Sequence, residues 1–119
     1  MKILFPVESK VIKSMVCPSF GRAPIFLVYN TDTKEETYID NSAANSAGGA
    51  GIQAAQIVSD LKVDALVTPR IGKNAADVIE ASSITMYQSV PFSIEENINR
   101  LDKGELQVLA NIHEGFHNH

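Results

Sequence analysis

Between two stretches of helical period lies Val63-Asp64-Ala65-Leu66-Val67-Thr68, a short and almost continuously apolar run closed by Pro69. Such a run suits a strand covered on both faces, which is the signature of a parallel strand between helical crossovers. On one side of it Ala54, Ile57, Val58 and Leu61 recur at i, i+3, i+4 and i+7. On the other, Ala75, Val78 and Ile79 give a second helical stripe. This alternation commits the second half of the chain to an α/β sheet.

The rest of the chain extends that core. Ile3 to Val7 is a short apolar run ending at Glu8 and predicts a buried first strand. Residues 24–40 predict a hairpin, with Ile25–Tyr29 and Glu36–Ile39 flanking the turn chemistry of Asn30-Thr31-Asp32-Thr33. Ile84–Tyr87 predicts a further short strand. Ser93 and Glu96 form a capping-box pattern opening a third helix with Ile94, Ile98 and Leu101 on its apolar face, and Gly104 is its expected stop. The element order is β-β-β-α-β-α-β-α, a mixed sheet with helices on its faces through right-handed crossovers. At 119 residues the chain has room for one core. The domain is expected over 1–104, and residues 105–119 are expected to be a flexible, histidine-containing tail.

Charge and composition narrow the function. Ten Lys and Arg against fourteen Asp and Glu give a net charge of −4, and the basic residues are scattered singly except for Arg70 and Lys73. A nucleic-acid partner is not expected. The apolar run at Met1–Glu8 is too short for a signal peptide, and no run of the sequence is long enough to span a membrane. With a single cysteine, Cys17, the chain forms no internal disulfide and suits a reducing cytoplasm.

Four features carry candidate chemistry. Gly49-Ala50-Gly51-Ile52-Gln53-Ala54 matches G-x-G-x-x-A, but small residues separate it from the preceding strand and Asp64 begins the next strand instead of ending it. It is expected to be a glycine-rich helix start packed on the sheet, and no nucleotide cofactor is expected. Pro69-Arg70-Ile71-Gly72-Lys73-Asn74 joins the buried strand to a helix, at the end of the sheet where ligands collect and free N–H groups favour anions. A purely structural turn explains this segment equally well. Cys17 lies in the long loop 9–23 and fits either a packed small residue or a soft metal ligand. His113, His117 and His119 hold all the histidine of the chain, and a helical tail would place His113 and His117 on one face as a metal pair. There is no G-x-S-x-G, no H-E-x-x-H and no P-loop, so catalysis is not expected.

Taken in order, several strings resemble the dinitrogenase iron–molybdenum cofactor biosynthesis family, the domain of NifX-like proteins and of the NifB C-terminal region. They are the opening strand to Glu8, Ser19-Phe20-Gly21-Arg22-Ala23-Pro24-Ile25-Phe26, Gly48 to Ala55, and Val63 to Ala75. The resemblance runs over about residues 1–102. It implies a ribonuclease-H-like motif with a five-stranded mixed sheet in the order 3-2-1-4-5. It also implies a non-enzymatic role: binding or carrying an iron–sulfur or heterometal, iron–molybdenum type cluster or its precursor. On that resemblance the site lies beyond strands one and four, with Cys17, Arg22, Arg70, Gly72, Lys73 and Asn74 as cofactor-binding residues. Cys17, His113, His117 and His119 are the candidate metal ligands. The implied partners are cluster-assembly or recipient proteins, and the chain is expected as a monomer or weak homodimer. The alternative is a metal-independent module that binds a protein or a small anion in the same crevice.

Overall fold

A computed structural model describes residues 1–109 and 112–113. Among the described residues there are seven strands: β1 Lys2–Val7, β2 Ile25–Asn30, β3 Glu36–Asp40, β4 Ala65–Thr68, β5 Ile71–Gly72, β6 Thr85–Gln88 and β7 Ile112–His113. The helices are α1 Ala50–Asp60, α2 Lys73–Ala81 and α3 Ile94–Asp102, with a short 3-10 turn over Ser42–Asn45. Five strands form one sheet in the order β3-β2-β1-β4-β6, while β5 and β7 form a separate two-stranded ladder. Since β5 lies outside the main sheet, this is the expected order of five strands with one short strand interposed along the chain.

The sheet is mixed because helical crossovers lead into β4 and β6, whereas no α-helix separates β1, β2 and β3. β2 pairs antiparallel with β1 after the long loop and with β3 through the hairpin, and β4 pairs parallel to both β1 and β6. Side chains alternate across it. Leu4, Phe26 and Leu66 point into a core with Ala54, Ala55 and Val58 of α1 and Ala75, Ala76 and Ile79 of α2. Ile3, Phe5, Val7, Leu27 and Val67 face the opposite way, against Ile94 and Ile98 of α3. Small residues on α1 and α2 let both helices lie close on one face. Among the described residues no helix is long and apolar enough to cross a membrane.

Local chemistry matches the sequence expectation at α3. Ser93 Oγ accepts from the Glu96 N–H at 3.1 Å, although the Glu96 carboxylate turns to Arg100 at 2.9 Å instead of closing the box. Ile94 and Glu95 donate their N–H groups to the carbonyls of Ser14 and Ile12. The N-terminus of α3 is therefore closed by its own cap and by loop 9–23.

The segment expected as a tail is laid along the sheet over its first residues. The Gln88 N–H donates to the Gln107 carbonyl at 2.7 Å and the Leu109 N–H to the Met86 carbonyl at 3.0 Å. Leu106 and Leu109 are buried. This stretch covers the outer edge of β6, which would otherwise expose unpaired backbone groups.

Candidate functional site

The topology gathers three chain turns at one end of the sheet. β3 runs in the same direction as β1 because two antiparallel pairings separate them, so α1 starts at the end where β1 and β4 finish. α2 follows β4 and starts there too. Between them lies a crevice of about 420 Å³, lined by Pro18–Arg22, Gly49–Ile52 and Arg70–Ala75. It sits at the switch between β1 and β4, where open α/β sheets bind ligands, and its size is that of a small-ligand pocket.

Two helix N-termini meet in this crevice, and neither carries a side-chain cap. α1 begins after Gly49 and α2 after Gly72. Gly49 has φ +70°, a conformation that a β-carbon would strain. The first-turn N–H groups of an uncapped helix lack intrahelical acceptors and favour an anion, as does the positive end of the helix dipole. The contrast with α3, whose N-terminus is closed, picks out this end of the two remaining helices.

The wall facing α1 is fixed by contact and by hydrogen bonding. Phe20 is buried and stacks on Phe26, with ring centroids 5.8 Å apart, which ties the loop to β2. Buried Asn41 donates from Nδ2 to the carbonyls of Gly21 and Ala23 and accepts from the Ala43 N–H. Arg22 Nη1 reaches across to the carbonyls of Ala44 and Ser46, at 3.1 and 2.6 Å. Arg22 is thus a strut of the wall as well as a charge in it.

The other cations are less committed. The Arg70 side chain is exposed and makes no hydrogen bond or ion pair with a described residue. Its turn is set by Thr68 Oγ1, which donates to the Arg70 carbonyl, and by Gln88 Nε2, which donates to that of Pro69. Lys73 pairs with Asp77 at 3.2 Å, an exposed i,i+4 pair that yields easily to another partner. Among the described residues no carboxylate, thiol or imidazole lines the crevice. The donor set is backbone N–H, guanidinium and ammonium, with the Ser19 hydroxyl and the Asn74 amide. It fits an anion held through its outer oxygen or sulfur atoms and does not supply thiolate, imidazole or carboxylate ligands for a metal.

Of the residues that the resemblance implied, Arg22, Arg70, Gly72, Lys73 and Asn74 line the crevice and Cys17 does not. Cys17 is 4% exposed, its N–H donates to the Pro6 carbonyl, and its thiol donates to Glu8 Oε2 at 3.6 Å. Burial raises its pKa and the Glu8 carboxylate adds to the rise, against a smaller lowering by the Ser19 backbone. Of the packed and ligating alternatives for this thiol, the geometry is that of the packed one. His113 lies in β7, where its backbone is in register with Gly72. His117 and His119 lie outside the described residues. Among the described residues no group of three or more His, Cys, Asp and Glu is placed to hold a metal.

Loop 9–23 was expected to form one side of the site and does so through Pro18–Arg22, whereas sequence reasoning missed the contribution of Gly49–Ile52. The glycine-rich helix start, expected to pack on the sheet, lies instead against Gly21 of the loop and Ala75 of α2, and the helix it opens forms one wall of the site. The signal was the pair of glycines at a helix start with no Ser, Thr, Asp or Asn as cap.

Comparison with known proteins agrees with this fold. The family model described as dinitrogenase iron-molybdenum cofactor matches residues 1–104. An uncharacterized protein of Methanocaldococcus jannaschii is 29% identical over 110 residues, covering 90% of each chain. The apo form of the orange protein from Desulfovibrio gigas superposes with a TM-score of 0.86 at 28% identity, over 92% of this chain and 93% of that one. A candidate NifB protein from Thermotoga gives a TM-score of 0.78 at 26% identity, over 91% and 92% of the two chains.

Proposed function

Because this chain belongs to the dinitrogenase iron-molybdenum cofactor family, we propose that it is a non-catalytic carrier of an anionic metal–sulfur cargo. The cargo is an iron–sulfur or iron–molybdenum type cluster or its precursor, held in the crevice beyond β1 and β4. The observation that carries the proposal is the meeting of the uncapped α1 and α2 N-termini with Arg22, Arg70 and Lys73 around one cavity.

Cargo of this kind presents sulfide or oxo atoms on its surface, and these accept hydrogen bonds from backbone N–H and guanidinium groups. Charge-assisted bonds of that sort are about twice as strong as neutral ones. Holding the outer atoms, and not the metals, leaves release free of any ligand exchange, which suits a protein that passes its load to an assembly or recipient partner. Arg22 is pre-positioned by its own hydrogen bonds, and Arg70 and Lys73 close on the load when it arrives. The sequence-level expectation of Cys17 as ligand is not needed for this.

The same donors suit a small anion without metal, the alternative function, because nothing in the lining selects for metal itself. One preparation separates the two. Protein purified anaerobically without a tag is assayed for iron, molybdenum and acid-labile sulfide, then titrated with tetrathiomolybdate and with inorganic phosphate. A carrier retains metal and sulfide, or takes up tetrathiomolybdate in preference to phosphate. A metal-free protein that prefers phosphate overturns the carrier in favour of the anion module.

A further inference from the structure

β5 is two residues long, and both Ile71 and Gly72 line the crevice. Ile71 is anchored in the core at 2% exposure, whereas Gly72 beside it is half-buried. The partner of β5 is the C-terminal segment: β7 pairs with it in parallel, with Ile112 in register with Ile71 and His113 with Gly72. Upstream the segment is pinned, since Leu106 and Leu109 are buried and hydrogen bonds tie Gln107 and Leu109 to β6. Only residues 110 and 111 separate this pinned part from β7.

We infer that β7 is a latch on the crevice rim, whose pairing with β5 retains the cargo and whose release lets it go. A two-residue ladder outside the main sheet has marginal strength by itself and is made and unmade readily. The anchor at Leu109 keeps the free partner close at hand, so re-pairing is an intramolecular step at high effective concentration. Gly72 is also the cap position of α2, whose first turn faces the crevice. Cargo at that turn and β7 on its flank therefore both hold the same backbone in place, and two events that favour one conformation reinforce each other reciprocally.

The retention role rests on the carrier reading, whereas the pairing itself does not. Two variants test it: a chain ending at Leu109, and the full-length Ile112→Pro/His113→Pro chain, in which both positions lose their N–H donors. Each is loaded with tetrathiomolybdate, and release after dilution is followed by its absorption. Both variants should release the probe about five- to thirtyfold faster than the unmodified chain, the equivalent of one or two net backbone hydrogen bonds. Their unfolding midpoints should stay close to that of the full chain, because Leu106 and Leu109 remain. Release at the full-chain rate from either variant overturns the latch. Amide exchange at Ile71 and Gly72 gives a cargo-free readout and should be faster in both variants; equal exchange overturns the latch alone. A full chain that takes up no tetrathiomolybdate overturns the carrier reading and the retention role with it.

Discussion

Gly21 lies against Gly51 so closely that a β-carbon on Gly21 would stand 2.9 Å from both the Cα and the N of Gly51. The loop after β1 and the first turn of α1 touch backbone to backbone there, and the crevice depends on that approach. Gly21→Ala should push the wall and the helix apart and destabilise the fold by about 1–3 kcal/mol, the usual range for overpacking. A β-carbon on Gly51 instead meets Ala75 Cβ at 3.7 Å, an ordinary contact. Gly51→Ala should be neutral or stabilising by up to ~1 kcal/mol through helix propensity. Urea unfolding of the two variants checks the asymmetry.

The arginines of the crevice should separate stability from binding. Arg70→Ala removes an exposed side chain without a described partner, so stability should change by less than about 0.5 kcal/mol while tetrathiomolybdate affinity falls. Arg22→Ala also removes the two bonds to Ala44 and Ser46. It should weaken binding and lower stability together, by roughly 1 kcal/mol. Paired binding and unfolding measurements on each variant decide this.

Asn41 ties the crevice loop to the end of β3. Truncation to Ala leaves the carbonyls of Gly21 and Ala23 and the Ala43 N–H without their side-chain partner. Stability should fall by about 2–3 kcal/mol, since unsatisfied buried groups carry their full desolvation penalty. Exchange of the amides around Gly21 should quicken as well, and an unchanged exchange pattern would show that the loop is held by other contacts.

Cys17 should behave as a buried thiol. Its pKa lies above the ordinary value of 9.0, first through burial and then through Glu8. Alkylation by iodoacetamide at neutral pH should be slow and should quicken in Glu8→Gln. The folded state holds the thiol proton more tightly than the unfolded chain does. This contribution to stability is therefore fully present below pH 9.0 and is lost as pH rises through the higher folded pKa. Cys17→Ala should leave tetrathiomolybdate affinity within about twofold, because each tenfold corresponds to ~1.4 kcal/mol and no crevice contact is removed.

The fold was legible where the chain repeats a period against a single face. Ala54, Val58 and Ile79 announced α1 and α2, and Leu66 and Val67 announced the covered strand, because burial dictates residue type there. The order of the sheet came through family resemblance, since no local period encodes which strands are neighbours. The cations Arg22, Arg70 and Lys73 were legible as residues. That Gly49–Ile52 faces them was not, because the meeting joins segments far apart in sequence. The pairing of Gly72 with His113 was equally hidden: two residues are too few to show a strand period, and a ladder on the rim leaves no apolar pattern. Cys17 left two readings open, as reactivity and simple packing use the same residue, and only its buried place beside Glu8 separates them.

The most direct test of the central claim is equilibrium binding of tetrathiomolybdate to the unmodified chain and to Arg70→Ala/Lys73→Ala, at low and high salt under anaerobic conditions. The account predicts one probe per chain, an affinity reduced about tenfold or more in the double variant, equivalent to one charge-assisted contact, and a weakening with added salt. Equal affinity in both proteins, or no uptake by the unmodified chain, would contradict it.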